Sequence, residues 1–236
     1  AEAHAIEMAS GLGALVVVNA GIGGEWFDNR FNMTWRGAAP SALTVGGMTS
    51  NAEEQMMVTE STPHGPVRGA NGFTKPDMVS YAENIDVAVV GGGEQMDTES
   101  HTVMAAARVA AAAAVLKSKR PQLSMVEVKA LLMNTADNNV MDLANKQGEL
   151  VLIGNGVENI EAAINSSVVA WEKSSYQPNL SFGFEEGVGL QRFVKEVQLK
   201  NLSDETVTYD VSMSSMGKAG DAALTWDVPT SVSVPA

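Results

Sequence analysis

The stretch SHTVMAAARVAAAAAVL, which runs from Ser100 to Leu116, decides the fold of this chain. Alanine has the highest helix propensity, and its small side chain lets neighbouring elements approach closely. The stretch is apolar on nearly every face, which is typical of a helix buried at the centre of a large domain. We therefore expect a central helix. We also expect Ala106 and Ala110 to meet a sheet, because residues four apart are neighbours on a helix surface.

The composition restricts the class of protein. The chain has 236 residues and a formal net charge of −13, and this length is enough for one sizeable core and a second small module. Nucleic-acid binding needs clustered Lys and Arg to neutralise phosphate, so the acidic balance argues against it. No apolar run reaches the roughly 18 residues of a membrane helix. The sequence has no Cys, which excludes disulfides and thiolate chemistry and leaves the compartment open.

Segments on both sides of the central stretch indicate an α/β domain. Ala14–Asn19 is a continuous apolar run rich in valine, typical of a strand buried on both faces of a parallel sheet. Asp86–Val90 predicts a further short strand. Ser124 and Glu127 form a capping box, in which each side chain accepts a hydrogen bond from the other residue's amide, and the box predicts a helix over Val126–Thr135.

The central stretch resembles the S-G-T-S-M-A-A-P-H-V-A-G signature of subtilisin-like serine proteases, the subtilase family. The residues that match this signature are Ser100, Thr102, Met104, Ala105, Ala106, Val109 and Ala110. The second Ser of the signature is the family's nucleophile, and Val103 stands at its position. The resemblance therefore implies the family's fold, and the valine at this position implies that the family's serine nucleophile is missing.

Other segments resemble the same family in the same order. Ala39–Gly46 resembles its A-P-x-A-I-T-V-G-A strand. Lys75–Val79 resembles the start of its K-P-D-I-V-A-P-G segment, in which the Asp has a structural role. The helix that follows Ser124 resembles its S-P-A-Q-V-K-A-L-L-M-N-T-A segment. The resemblance covers about Ala5–Ile164, and agreement of several ordered segments supports the fold better than one motif does.

This resemblance implies an α/β fold with two parts. We expect a partial subtilisin-like parallel-sheet domain at residues 1–165 and a small all-β sandwich module at 166–236. Period-two alternation, as in Phe193–Asn201, predicts the strands of the second part. It resembles the fibronectin-type-III-like module of large cell-envelope subtilases, and we expect this copy to be truncated. The resemblance implies an extracellular or cell-envelope location.

Three positions remove the family's chemistry. Val103 has no hydroxyl to attack a carbonyl. Ile22 stands where the family's A-G-N-x-G turn has the Asn that donates to the oxyanion. His101 replaces a Gly of the signature and places an imidazole where a substrate backbone should pass. The family's catalytic Asp and His lie upstream of this region, and the chain begins after them, so we expect no catalytic residue here.

Other polar residues give weaker candidates. His4, His64 and His101 are the only histidines, and no two share metal-ligand spacing. His64 lies between Pro and Gly and is typical of a solvated loop residue. Ser100 matches the family's non-catalytic first Ser and is predicted to cap the central helix. We expect no cofactor, and the resemblance alone leaves room for a structural calcium ion.

The pattern favours a non-catalytic pseudo-protease that serves binding or assembly. Two alternatives stay open: a serine endopeptidase fragment completed by another segment that carries the Asp and His, and a purely structural scaffold. Incomplete sheets expose unpaired backbone groups. We therefore expect a protein partner, the remaining segment of the same polypeptide or a second copy to cover Ala14–Asn19 and Val228–Pro235.

Overall fold

A sheet with one long helix across one face forms the centre of the molecule. The computed structural model describes residues 2–22, 31–68, 73–182, 192–213 and 225–236. The helices are α1 (Glu2–Gly11), α2 (Thr102–Lys119), α3 (Met125–Asn134), α4 (Leu150–Ile153) and α5 (Ile160–Asn165). The strands are β1 (Val17–Asn19), β2 (Leu43–Ser50), β3 (Met56–Val58), β4 (Met78–Tyr81), β5 (Ile85–Ala88), β6 (Met96–Glu99), β7 (Val168–Glu172), β8 (Val197–Asn201), β9 (Val207–Asp210) and β10 (Ser231–Val234).

The sheet is built around β2. It pairs in parallel with β1, Val17 opposite Leu43, and with β4, Val45 opposite Met78. It also pairs antiparallel with β3. Because β2 has neighbours along its length, its first six residues are buried, whereas all three residues of β1 are only half-buried. The expectation that the first strand is buried on both faces is therefore wrong, since within the described residues β1 pairs with β2 alone.

Helix α2 lies across this sheet with one face buried. The buried residues are Thr102, Ala105, Val109, Ala112, Ala113 and Leu116, and they join the main core with Leu43, Val45 and Met78. The opposite face is exposed, including Ala110. The predicted burial on nearly every face is wrong, and so is the predicted contact of Ala110 with the sheet. Alanine fits either environment, so a run of alanines does not mark the inward face.

Helix α3 begins as the sequence predicts. Ser124 Oγ accepts a hydrogen bond from Glu127 N at 3.3 Å, and the Glu127 carboxylate accepts one from Ser124 N at 2.7 Å. The capping box is therefore confirmed, and it satisfies amides that the first turn of a helix leaves without partners. Seven of the ten residues of α3 are buried against α2 and the strand β7.

The segments after α5 form two antiparallel strand pairs, β7 with β8 and β9 with β10. The first pair is attached to α3: Asn134 Oδ1 accepts from Ala170 N at 2.9 Å, and Lys200 Nζ donates to Glu127 Oε1 at 2.5 Å. The division at 165/166 and the sandwich arrangement stay predictions. None of the helices in the described ranges is long and apolar enough to cross a membrane.

Candidate functional site

The carboxyl ends of the parallel strands meet the start of α2, and this junction brings the sequence-predicted positions together. Thr102 Oγ1 is buried and donates to Gly21 O at 2.7 Å, which ties the turn after β1 to the helix. Ala20 N donates to Val45 O at 2.8 Å and holds the same turn against β2. Gly21 has φ +119°, and a Cβ there would lie 2.4 Å from Thr34 Cγ2, so only glycine fits this turn.

His101 is the N-cap of α2. Its backbone N donates to Ala82 O at 2.7 Å, which fixes the helix start at the end of β4. Its Nδ1 accepts a hydrogen bond from Val103 N at 3.3 Å. The prediction that Ser100 caps this helix is wrong, because Ser100 lies one residue too early and its Oγ accepts instead from Asn84 N at 3.0 Å.

Two of the side chains at this junction are apolar and exposed. Ile22 is 68% exposed and Val103 is 44% exposed. The Thr102 hydroxyl is buried and bonded to a carbonyl, and the Nδ1 of His101 already accepts an amide proton. Neither Thr102 nor His101 is therefore arranged as the hydroxyl and base pair that nucleophilic catalysis uses.

The other histidines lie in different surroundings. His4 is exposed on α1. His64 is half-buried, and its backbone N donates to Asn32 Oδ1 at 3.0 Å in the loop that places Pro63 beside Gly21. Across the described ranges, no group of three His, Asp or Glu side chains converges on a point that could hold a metal ion.

A buried acid lies close to this junction, on the α2 side of β4. Glu158 Oε1 accepts from Ser80 Oγ at 2.7 Å and lies 3.7 Å from Arg108 Nε, whose guanidinium stacks over the Tyr81 ring. Glu158 Oε2 is buried with no hydrogen-bond partner among the described residues. Burial raises the pKa of this carboxyl, and the Ser80 hydroxyl and Arg108 oppose the rise. Sequence reasoning missed Glu158, which stands beside a polar residue just before α5 and has no pattern that marks it.

A second polar cluster lies at the opposite edge of the sheet, where the strands begin. Asp77 Oδ2 accepts from Thr44 N at 2.7 Å and from Lys75 Nζ at 2.5 Å, and it lies 3.7 Å from Lys129 Nζ. Both lysines also donate to Ala42 O, at 2.8 and 2.9 Å. The structural role that the family resemblance implies for Asp77 agrees with these contacts. Sequence reasoning missed Lys129, although a lysine inside the apolar segment VKALLM was a signal.

Comparisons with known proteins agree with this architecture. The model of the subtilase family of S8 peptidases matches residues 2–156. A subtilisin-like protease from Solanum lycopersicum, SBT3, is 32% identical over 93 residues, which cover 34% of this chain and 12% of that protein. The chain therefore matches about an eighth of that relative's length. The solved structure of the prenylagaramide maturation protease PagA matches with a TM-score of 0.52 and 19% identity, over 68% of this chain and 53% of the other.

Proposed function

This chain belongs to the subtilase family, and we propose that it is a non-catalytic member that serves binding or assembly. The observation that carries the proposal is the identity and hydrogen bonding of Val103 at the N-terminus of α2. Val103, aligned with the family's nucleophile, has no hydroxyl, and its backbone amide is hydrogen-bonded to His101 Nδ1. An amide at this place is the kind of donor that an oxyanion hole uses. In this chain the Val103 amide already donates to His101 Nδ1, so it is not free to donate to an oxyanion.

The position of Ile22 supports the same proposal. Its backbone follows Gly21, which Thr102 holds beside the start of α2, so an Asn side chain here would lie close to the helix N-terminus. Isoleucine has no N–H to donate. In subtilisin, loss of one side-chain oxyanion donor costs about 10²–10³ in rate, and loss of the triad Ser costs about 10⁶. Two such changes together place peptidase activity of these positions below useful levels.

The exposed apolar surfaces support the proposal that a protein partner binds this chain. The outer face of α2 includes the half-exposed Val103 and Val115, and β1 has one sheet neighbour within the described residues. We propose that the remaining segment of the same polypeptide, a second copy or another protein covers this side, outside the cytoplasm or at the cell envelope. Nucleic acid is not a partner, because the charge of −13 repels phosphate.

A fluorophosphonate probe tests the catalytic side of the proposal. We expect no labelling of the wild-type chain, of Val103→Ser or of Ile22→Asn/Val103→Ser, with an active subtilase as the positive control. Val103→Ser supplies a hydroxyl without a base to deprotonate it. Stoichiometric labelling of any Ser in the wild-type chain contradicts the proposal. It supports the alternative, an endopeptidase fragment with its nucleophile elsewhere.

Light scattering after size exclusion, combined with amide exchange, tests the partner. We expect the chain on its own to self-associate or to show weak protection at 14–19 and 228–235. A compact monomer with strong protection in both segments refutes the need for a partner. It leaves the purely structural scaffold as the better interpretation.

A further inference from the structure

A cavity of about 350 Å³ opens at the amino edge of the sheet, away from the junction at the α2 N-terminus. It lies between α1, the segment that leads into β1, the first turn of α3 and the turn at 174–177. Its apolar wall consists of Ala14, Leu15, Met125 and Val126. This volume is near the lower end of the range for small-molecule sites, and it corresponds to about ten water volumes.

Lys129 gives this cavity a reactive group. The residue lines the cavity although it is only 4% exposed, and its Nζ donates to Ala42 O at 2.9 Å and to Gln177 Oε1 at 2.8 Å, with Pro40 O further away at 3.4 Å. Gln177 also lines a smaller cavity of about 40 Å³ beside Lys75 and Asp77. The Gln177 amide therefore lies between the two spaces and holds the amine of Lys129.

Burial away from water favours the neutral form of Lys129, against most of the charges around it. Burial lowers the pKa of Lys129 to about 7; Asp77 and Glu7 oppose the fall, and Lys75 adds to it. About half of the amine is then unprotonated at pH 7, against roughly 0.04% for an ordinary lysine with a pKa near 10.4. A desolvated lysine of this kind is the nucleophile that proteins use to form Schiff bases.

Two further groups of the cavity wall indicate the chemistry of its occupant. Ser10 Oγ is buried and has no hydrogen-bond partner among the described residues, so it is available to donate to an oxygen atom. Glu7 also faces the cavity, and its carboxylate accepts from Ser41 N at 3.1 Å and from the Ser41 hydroxyl. A carboxylate in the wall disfavours an anionic ligand, and the partly protonated amine of Lys129 disfavours a cationic one, so neutral ligands remain.

We propose that this cavity is a binding site for small neutral aldehydes, which condense reversibly with the Nζ of Lys129. The nitrogen lone pair attacks the carbonyl carbon, and the C–N bond forms as the carbonyl π bond breaks. The oxygen takes both protons of the amine and leaves as water, so the product is an imine and no oxidant or reductant is needed. The occupant displaces the Gln177 amide from Lys129, and its alkyl chain packs on Leu15 and Val126.

Reductive trapping of the full chain tests this proposal. The protein is treated at pH 7 with limiting propanal and cyanoborohydride, and the labelled lysines are located by peptide mass spectrometry. We expect Lys129 to label at least tenfold faster than Lys119, which is exposed at the end of α2. Glyoxylate, an anionic aldehyde, should show a smaller preference for Lys129. Labelling of the α-amino group is distinguished by the mass of its own peptide.

A pH series and a pair of variants complete the test. The ratio of Lys129 to Lys119 labelling should fall between pH 7 and pH 9, because about half of the Lys129 amine is already unprotonated at pH 7. Val126→Trp fills the cavity and should reduce Lys129 labelling at least fivefold. Val115→Trp, at a similarly exposed valine on α2, should not. Labelling of Lys129 no faster than Lys119, a Lys129 rate that parallels Lys119 with pH, or full labelling in Val126→Trp overturns the proposal.

Discussion

The two edges of the parallel strands in the central sheet differ in where their chemistry lies. At the carboxyl edge, where α/β proteins usually bind ligands, the three family positions present two exposed apolar side chains and an imidazole engaged with a backbone amide. At the amino edge, two lysines and one aspartate are buried against each other beside a cavity. Two exposed apolar side chains therefore lie at the edge that the signature marks, and buried charged groups lie at the opposite edge.

From this difference we predict where substitutions should change the stability of the domain. Buried charges are costly to leave unpaired, whereas exposed apolar residues can change at little cost to stability. The amino edge should therefore dominate the stability of the domain and its dependence on pH. The carboxyl edge should tolerate change, although it contains Val103, Ile22 and His101, on which the proposed function depends.

The largest effect should follow Asp77→Asn. The change keeps an oxygen for Thr44 N but leaves Lys75 and Lys129 buried without their carboxylate. We expect a loss of about 3–5 kcal/mol in the free energy of unfolding, measured by urea denaturation. Asp97→Asn on the exposed strand β6 is the matched control and should be nearly neutral. Similar midpoints for the two variants contradict the amino edge as the stabilising one.

The second effect is a dependence of stability on pH. The pKa of Lys129 is about 7 in the folded protein and ordinary, near 10.4, in the unfolded chain. Between these values the unfolded chain binds more protons, so the free energy of unfolding should rise with pH, by on the order of 2–3 kcal/mol from pH 7 to pH 9. Lys129→Met should remove this rise, and Lys119→Met should keep it. An identical pH dependence in both variants would refute the assignment.

The third effect is a difference in stability between substitutions on the buried face and on the exposed face of α2. Ala105 is fully buried in the main core, and Ala110 is exposed. Ala105→Leu should overpack the core and cost about 1–3 kcal/mol. Ala110→Leu should change stability by less than about 0.5 kcal/mol in the chain alone. Thermal unfolding of the two variants checks this, and equal shifts in Tm would mean that α2 is covered on both sides.

The smallest effect lies at the carboxyl edge. His101→Ala removes the side chain that accepts from Val103 N, and we expect a loss of about 0.5–1 kcal/mol, typical of a helix N-cap. His4→Ala, at an exposed position on α1, should have no effect. Urea denaturation at pH 8 measures both. A cost above 2 kcal/mol for His101→Ala would show that this edge is not the tolerant one.

Much of the fold could be predicted from local pattern. Hydrogen bonds within a few residues define a capping box, so Ser124 and Glu127 were sufficient to place the start of α3. The signature likewise located α2 and the three family positions at its junction with the turn after β1. The true N-cap could not be predicted, because Ser and His both accept from amides and the choice depends on where Ala82 holds the backbone.

The sequence by itself determined the family, the place of the central helix and the absence of a hydroxyl at residue 103, since each depends only on residue identity and order. Tertiary structure alone decided which face of α2 is buried, because alanine has no preference strong enough to choose. Tertiary structure also decided the pKa of Lys129. Its distance from Asp77 and Lys75 and its exclusion from water arise when α3 packs beside the starts of β2 and β4. A pKa is a property of those neighbours, and neighbours distant in the chain meet only in the folded molecule.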